Sequence, residues 1–167
     1  QTLSPGLLST VQAVHIHPLG PPAARHPALH ADDLHTAGAH RLGALPAWRP
    51  HCALLTSLYD GDRYLDAFLA NSAELQGYPQ TEHWIVRPAS PGNEHASLLA
   101  HTRQHPGCIY LWLAKDPGLY GVWNRLAHLS TARYLSNANV DDLRAPDQLH
   151  TLLAELDARP DIDLVST

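Results

Sequence analysis

The stretch CALLTSLYDGDRYLDAFLANSAELQ, residues 52–76, changes its hydrophobic period part-way along. Its first eight residues are apolar almost throughout, as in a strand buried on both faces. Asp60 and Gly61 then supply a turn signal. Asp62 is placed to cap a helix in which Leu65, Phe68, Leu69 and Leu75 line one side, and Gly77 with Pro79 stops it. Strand, turn and helix in this order make the first half of a βαβ unit.

The unit repeats. HWIVR (83–87) reads as a second strand, and Ser90 with Pro91 offers an N-cap and a first-turn proline to GNEHASLLAHTRQ. CIYLWLA (108–114) is a third strand. LYGVWNRLAHL (119–129) carries Leu119, Val122, Trp123, Leu126 and Leu129 at helical spacing. RYLSNA (133–138) is a fourth strand. Pro146 opens a last helix with a stripe of Leu149, Leu152, Leu153 and Leu156, and IDLVS (162–166) is expected to begin a fifth strand. Such alternation implies right-handed crossovers and a parallel sheet covered by helices on both faces. The fold class is therefore α/β, doubly wound and mostly parallel, over about residues 51–167.

The composition allows a real core and narrows the partners. Hydrophobic residues make up 44% of the 167 and charged residues 16%. A formal charge of −5 argues against a general nucleic-acid binder, which needs a basic face. No apolar run reaches the roughly 18 residues that span a bilayer. Cys52 and Cys108 each open an apolar strand and read as small buried thiols, in keeping with a reducing cytoplasm. Residues 1–50 hold seven of the 14 prolines and many histidines. They read as an irregular N-terminal arm, a linker or the end of a preceding domain. TVQAVHIH (10–17) could form a strand there, with His15 and His17 aimed at one side as a minor metal-binding alternative. The chain starts at Gln1 and contains no methionine, as expected of a piece of a longer protein.

In open parallel sheets, ligands bind outside the carboxyl ends of the strands. There the chain gathers Asn137, Asn139, Asp141 and Asp142. Two carboxylates with no lysine in the same loop suit a hard divalent cation, Mg²⁺ or Mn²⁺, completed by phosphate oxygens. Equally, Asp141 or Asp142 caps the following helix and Asn139 fills a turn. A glycine-rich dinucleotide fingerprint and a phosphate loop are both missing from the sequence.

TSLYDGDRYLDAFLAN, IVRPASPGNE and KDPGLYGVWNRLAHLSTARYLSNANVDDLRAPDQL together resemble the nucleotide-sugar half of the family 2 glycosyltransferases, with the GT-A fold. The resemblance covers about residues 52–167, a domain then truncated at its C-terminal end. It implies that Asp141 and Asp142 hold the metal, with Asn139 at the family's first acidic position. It implies that Ser57, Tyr59, Ser90, Asn124 and Asn139 bind the nucleotide sugar. Where the family carries an acidic residue after the second strand, Arg87, Pro88 and Ala89 stand here.

The implied activity is inverting transfer of a sugar from a nucleoside-diphosphate sugar to an acceptor hydroxyl of a glycan, lipid or protein. The general base is expected beyond Thr167, with Asp60, Asp116 and Glu94 as the candidates inside the chain. The implied location is cytoplasmic, in reach of the inner membrane face through other domains. The alternatives are a non-catalytic nucleotide-sugar-binding module and an unrelated α/β interaction domain.

Overall fold

The computed structural model describes residues 39–42 (backbone only), 50–75 and 80–166. The stretch 10–17 and the pair His15 and His17 lie outside the described residues. A five-stranded sheet carries the fold. Its strands are β1 (Ala39–Leu42), β2 (Cys52–Ser57), β3 (Thr81–Arg87), β4 (Cys108–Leu113) and β5 (Tyr134–Asn137). The order across the sheet is β1-β4-β3-β2-β5. Strands β2 to β5 run parallel, with Leu55 opposite Trp84 and Asn137.

Helix α1 (Leu65–Leu75) links β2 to β3, and α2 (His95–Gln104) links β3 to β4. Helix α3 (Leu119–Leu129) links β4 to β5. These are the alternating elements that the hydrophobic periods predict. One sheet face packs Ala53, Leu55, Trp84, Val86, Ile109 and Leu111 against Val122 and Leu126 of α3. The other packs Ile85, Cys108 and Tyr110 against Leu65 and Phe68 of α1 and Leu98 of α2. With helices on both faces, the first five residues of β2 are all buried, which explains a strand apolar without alternation. Burying a side chain such as Phe68 contributes about 1.5–3 kcal/mol. Both cysteines are buried and free, and burial pushes their thiols up to about 12 and about 11.

Three expectations change. Strand β1 comes from the stretch read as an arm and pairs antiparallel with β4. AHRL is too short to announce itself; the ladder with residues 110–113 makes it a strand. Residues 162–166 form no strand, because none of the described residues pairs with them, and a strand without a ladder leaves its backbone groups unsatisfied. The expected caps also do other work. Asp62 opens a 3₁₀ turn, Asp62–Tyr64, without capping it, and α2 begins at His95, beyond Ser90.

The sheet and its three helices belong to one compact unit, Arg25–Arg144, while Ala145–Thr167 falls in another. The latter contains helix α4 (Gln148–Ala158), on which Leu149 is buried. No helix among the described residues is long and apolar enough to cross a membrane.

Candidate functional site at the carboxyl edge

The loops after β2, β3 and β5 leave the same edge of the sheet. Their meeting is organised by Glu94, a carboxylate with no exposed surface. Its Oε1 accepts from the backbone N–H of Gly61 at 2.8 Å and from the Ser90 hydroxyl at 3.0 Å. Its Oε2 accepts from Arg87 Nε at 2.9 Å. Burial alone would raise its pKa, but the donors from Gly61, Arg87 and Ser90 outweigh burial and hold it below the usual carboxylate value. Arg87 also donates to the carbonyls of Ser90 and Gly92, at 2.8 and 2.7 Å. The Ser90 hydroxyl accepts from the amide of Asp60, a non-glycine residue in the left-handed region at φ 52°. Asp62 completes the cross-link by accepting from Asn93 N at 2.9 Å.

The third loop joins through packing. The β2 loop lies beside the turn over 139–142: a Cβ built on Gly61 would stand 3.4 Å from Val140 Cγ2, ordinary van der Waals distance, and 3.2 Å from Leu58. That turn is anchored at both ends. Ala138 N donates to Leu55 O at 2.9 Å, and the Thr56 hydroxyl donates to Ala138 O at 2.6 Å. At the far end, the Asn71 amide of α1 grips the backbone of Arg144. Its Nδ2 donates to Arg144 O at 2.9 Å and its Oδ1 accepts from Arg144 N at 3.0 Å. Arg144 in turn donates to the Ser136 hydroxyl at 3.0 Å and to the carbonyl of Asn137.

Within the turn, Asp141 and Asp142 are exposed. Asn139 Nδ2 donates to Asp142 Oδ2 at 2.9 Å, and Asp142 N closes the turn on Asn139 O at 3.3 Å. Among the described residues the Asp141 carboxylate has no hydrogen-bond or ion-pair partner, and no group of three or more His, Cys, Asp or Glu could hold a metal ion. Two carboxylates suffice for Mg²⁺ or Mn²⁺ only where a ligand's phosphates supply further oxygens, and Asp141 with the remaining Asp142 oxygen fit that donor set. The positive charge absent from the sequence reading is Arg144, half-buried and electrostatically coupled to Asp142.

The other predicted residues separate into two groups. Ser57 ends β2 and Tyr59 is 52% exposed beside it, at this edge. Asn124 is exposed on α3. Ser90 is engaged with Glu94 and Asp60 and so supports the loops from within. Of the candidate bases, Glu94 is buried with its oxygens occupied, and Asp116 accepts from Gly118 N at 2.8 Å. Asp60 is exposed. Sequence reading missed the organising roles of Glu94, Thr56, Asn71 and Arg144. Their partners lie up to 82 positions away, and no local pattern marks them.

No protein-family model matches the chain, and no curated protein does so. Solved structures share its architecture. The mannosyltransferase PcManGT from Pyrobaculum calidifontis, solved with GDP-Man and Mn²⁺, superposes with a TM-score of 0.58 at 21% identity, over 66% of this chain and 33% of that one. TarS 1–349 from S. aureus with UDP-GlcNAc gives 0.58 at 16% identity, over 65% and 32% of the two chains. The same protein with UDP gives 0.55 at 17%. The chain thus spans about a third of the length of these structures. The domain built on strands β2 to β5 has the fold of the nucleotide-sugar-binding half of the GT-A-type glycosyltransferases.

Proposed function

We propose that this domain is the donor-binding part of a metal-dependent, inverting glycosyltransferase. The observation that carries this is the convergence of three loops at the carboxyl edge, two joined by the hydrogen bonds of Glu94 and the third tied to β2 through Ala138, with Gly61 beside Val140. That edge is where an open parallel sheet binds ligands. The solved structures of like fold contain GDP-Man with Mn²⁺, or UDP-GlcNAc, which supports a nucleotide sugar as the ligand class.

In this proposal Asp141 and Asp142 hold Mg²⁺ or Mn²⁺, and Ser57, Tyr59 and Asn139 face the nucleotide sugar, with Asn124 near it. Ser90 acts indirectly, by fixing Asp60 and Gly61 through Glu94. When bound, the cation stabilises negative charge on the departing diphosphate. The residues' own contribution is to present two exposed carboxylates on a turn whose ends are fixed, so that little reorganisation accompanies binding. Asp60, Asp116 and Glu94 are not assigned as the base. An acceptor hydroxyl of a glycan, lipid or protein, and a cytoplasmic location, complete the proposal.

A second reading, a nucleotide-sugar-binding module without transfer activity, is favoured by Asn139 at the first acidic position, which leaves the turn two carboxylates. Thermal unfolding with Mn²⁺ plus GDP or UDP tests the donor site. A nucleotide at a hundredfold excess over its dissociation constant stabilises by about 2.7 kcal/mol. The expected rise in Tm disappears in Asp141→Ala; an equal rise in that variant would leave the turn with no part in binding. Release of nucleoside diphosphate from GDP-Man or UDP-GlcNAc, with and without acceptors, separates transferase from binding module.

A further inference from the structure

A run of buried polar side chains crosses the core and ends at the site. The Thr56 hydroxyl on β2 donates to Ala138 O at 2.6 Å, immediately before Asn139. The same oxygen lies 2.8 Å from His83 Nε2 on β3. His83 Nδ1 lies 2.7 Å from the Ser72 hydroxyl of α1, and Ser72 lies 3.3 Å from His101 Nε2 of α2. His83 and Thr56 have no exposed surface.

The proton count orients the run. A threonine hydroxyl has one proton, and Thr56 gives it to Ala138 O, so Thr56 must accept from His83 Nε2–H. A neutral imidazole then has Nδ1 as its acceptor, facing the Ser72 hydroxyl. Phe68 meets the His83 ring edge-on at 5.6 Å and 72°, which fixes its plane. Helix α1 and strand β3 thereby decide which way the Thr56 hydroxyl points. Satisfying buried polar groups would not require the last acceptor to be the carbonyl that begins the site turn.

We propose, resting on the reading of this edge as a nucleotide-sugar site, that Thr56 is the positioning residue of the turn over 139–142, with His83 holding its hydroxyl in direction. Thr56 sets the Ala138 carbonyl, and through it the angle at which Asp141 and Asp142 meet a metal-bound diphosphate. His83 acts through Thr56 and touches no ligand. Asn71 and Arg144 fix the other end of the same loop, so the Ala138 end is where a change at Thr56 is felt.

Amide hydrogen exchange of the ligand-free protein tests the positioning directly. Thr56→Val keeps the shape and removes the hydroxyl. Exchange at Ala138 and Asp142 should then quicken about tenfold relative to Trp84 in the central strand, the loss expected of one buried hydrogen bond. Thr56→Ser should restore the ratio. Ser130→Ala is the structural control: it removes a 2.5 Å bond to the buried Glu82 on the opposite sheet face, and should lower stability without changing that ratio. Should Thr56→Val fail to fold, Ser72→Ala, which releases His83 Nδ1, should shift the ratio the same way. An unchanged ratio in the folded variant overturns the inference. Titration of Mn²⁺ with GDP or UDP adds a second readout, with affinity about tenfold weaker in Thr56→Val. If the wild-type protein binds neither nucleotide while the exchange ratio shifts, the nucleotide-sugar reading fails and the positioning of the turn stands. If Thr56→Val binds as tightly as wild type, the positioning fails.

Discussion

Arg87 Nε and Glu94 Oε2 form a 2.9 Å ion pair in which the arginine side chain is 17% exposed and the carboxylate fully buried. It joins the last residue of β3 to the residue before α2, and through Gly61 N it also holds the loop after β2. An ion pair of this kind adds little net stability over apolar packing, but breaking it strands a buried charge. Its role is to fix geometry. Arg87→Ala should therefore destabilise by about 3 kcal/mol in urea unfolding. Glu94→Gln keeps the shape and Gly61's acceptor but turns its NH2 on Arg87 Nε–H. Because Arg87 is partly exposed and still donates to the carbonyls of Ser90 and Gly92, no fully buried charge is stranded and the cost should be smaller. Equal losses would mean that the charge is immaterial.

Gly92 lies against the same carboxylate: a Cβ built on it would sit 2.5 Å from Glu94 Cδ and overlap the carboxyl group. The buried side chain has no room to retreat, so Gly92→Ala should cost about 1–3 kcal/mol. Gly118 offers the contrast. It has φ 76° and ψ 164°, with nothing within 4 Å of a built Cβ, so Gly118→Ala meets only backbone strain, about 1–3 kcal/mol. Melting both variants with Mn²⁺ and nucleotide separates the two effects, because only Gly92→Ala should also lose ligand-induced stabilisation. Loss in both would point to a general effect.

Acid should weaken this fold above the usual carboxylate range. Burial lowers His83 to about 3 and His101 to about 4. Each stays neutral in the folded chain while the unfolded chain takes up a proton below about 6.5. The contribution is thus complete above pH 6.5 and shrinks as pH falls, by about 2 kcal/mol for each histidine at pH 5. Glu94, held low, adds a loss below the ordinary carboxylate pKa. Glu82, raised by burial, works in the opposite sense, costing stability as pH rises through and above that value. Urea unfolding at pH 7.5 and pH 5 should show the fall, reduced in His101→Asn. A pH dependence identical in His101→Asn and the parent would exclude the burial of a neutral His101.

The two-pronged grip of Asn71 on Arg144 should be separable from the core. Asn71→Leu keeps the number and branching of the side-chain heavy atoms and removes two hydrogen bonds, about 1 kcal/mol each. Exchange at Arg144 N should rise, while that at Trp84 rises only as far as the loss of global stability dictates. Parallel rises at both sites would show that the loop and core open together.

The alternation of strand and helix was legible in residues 52–138, because it is written in local periods. Apolar runs such as CIYLWL must lie between two layers, and the spacing of Val122 and Leu126 makes one side of a helix apolar. The position of 139–142 at a strand end followed from the same pattern, together with the rule that ligands gather at that edge.

What only the tertiary structure decided is which polar groups meet. Ser90 and Asp62 both read as helix caps because their types favour caps, yet each bonds to a neighbouring loop instead. Glu94 looked like an available carboxylate until Gly61, Arg87 and Ser90 closed around it. AHRL became a strand by pairing with β4, while the more apolar IDLVS did not, having no ladder. Hydrophobic burial is nearly directionless and acts through composition and period, so the sequence determines it locally. A hydrogen bond demands one partner at one distance and angle, and for Asp60 with Ser90 and Thr56 with Ala138 that partner stands 30 and 82 residues away, brought there by the crossovers of the sheet.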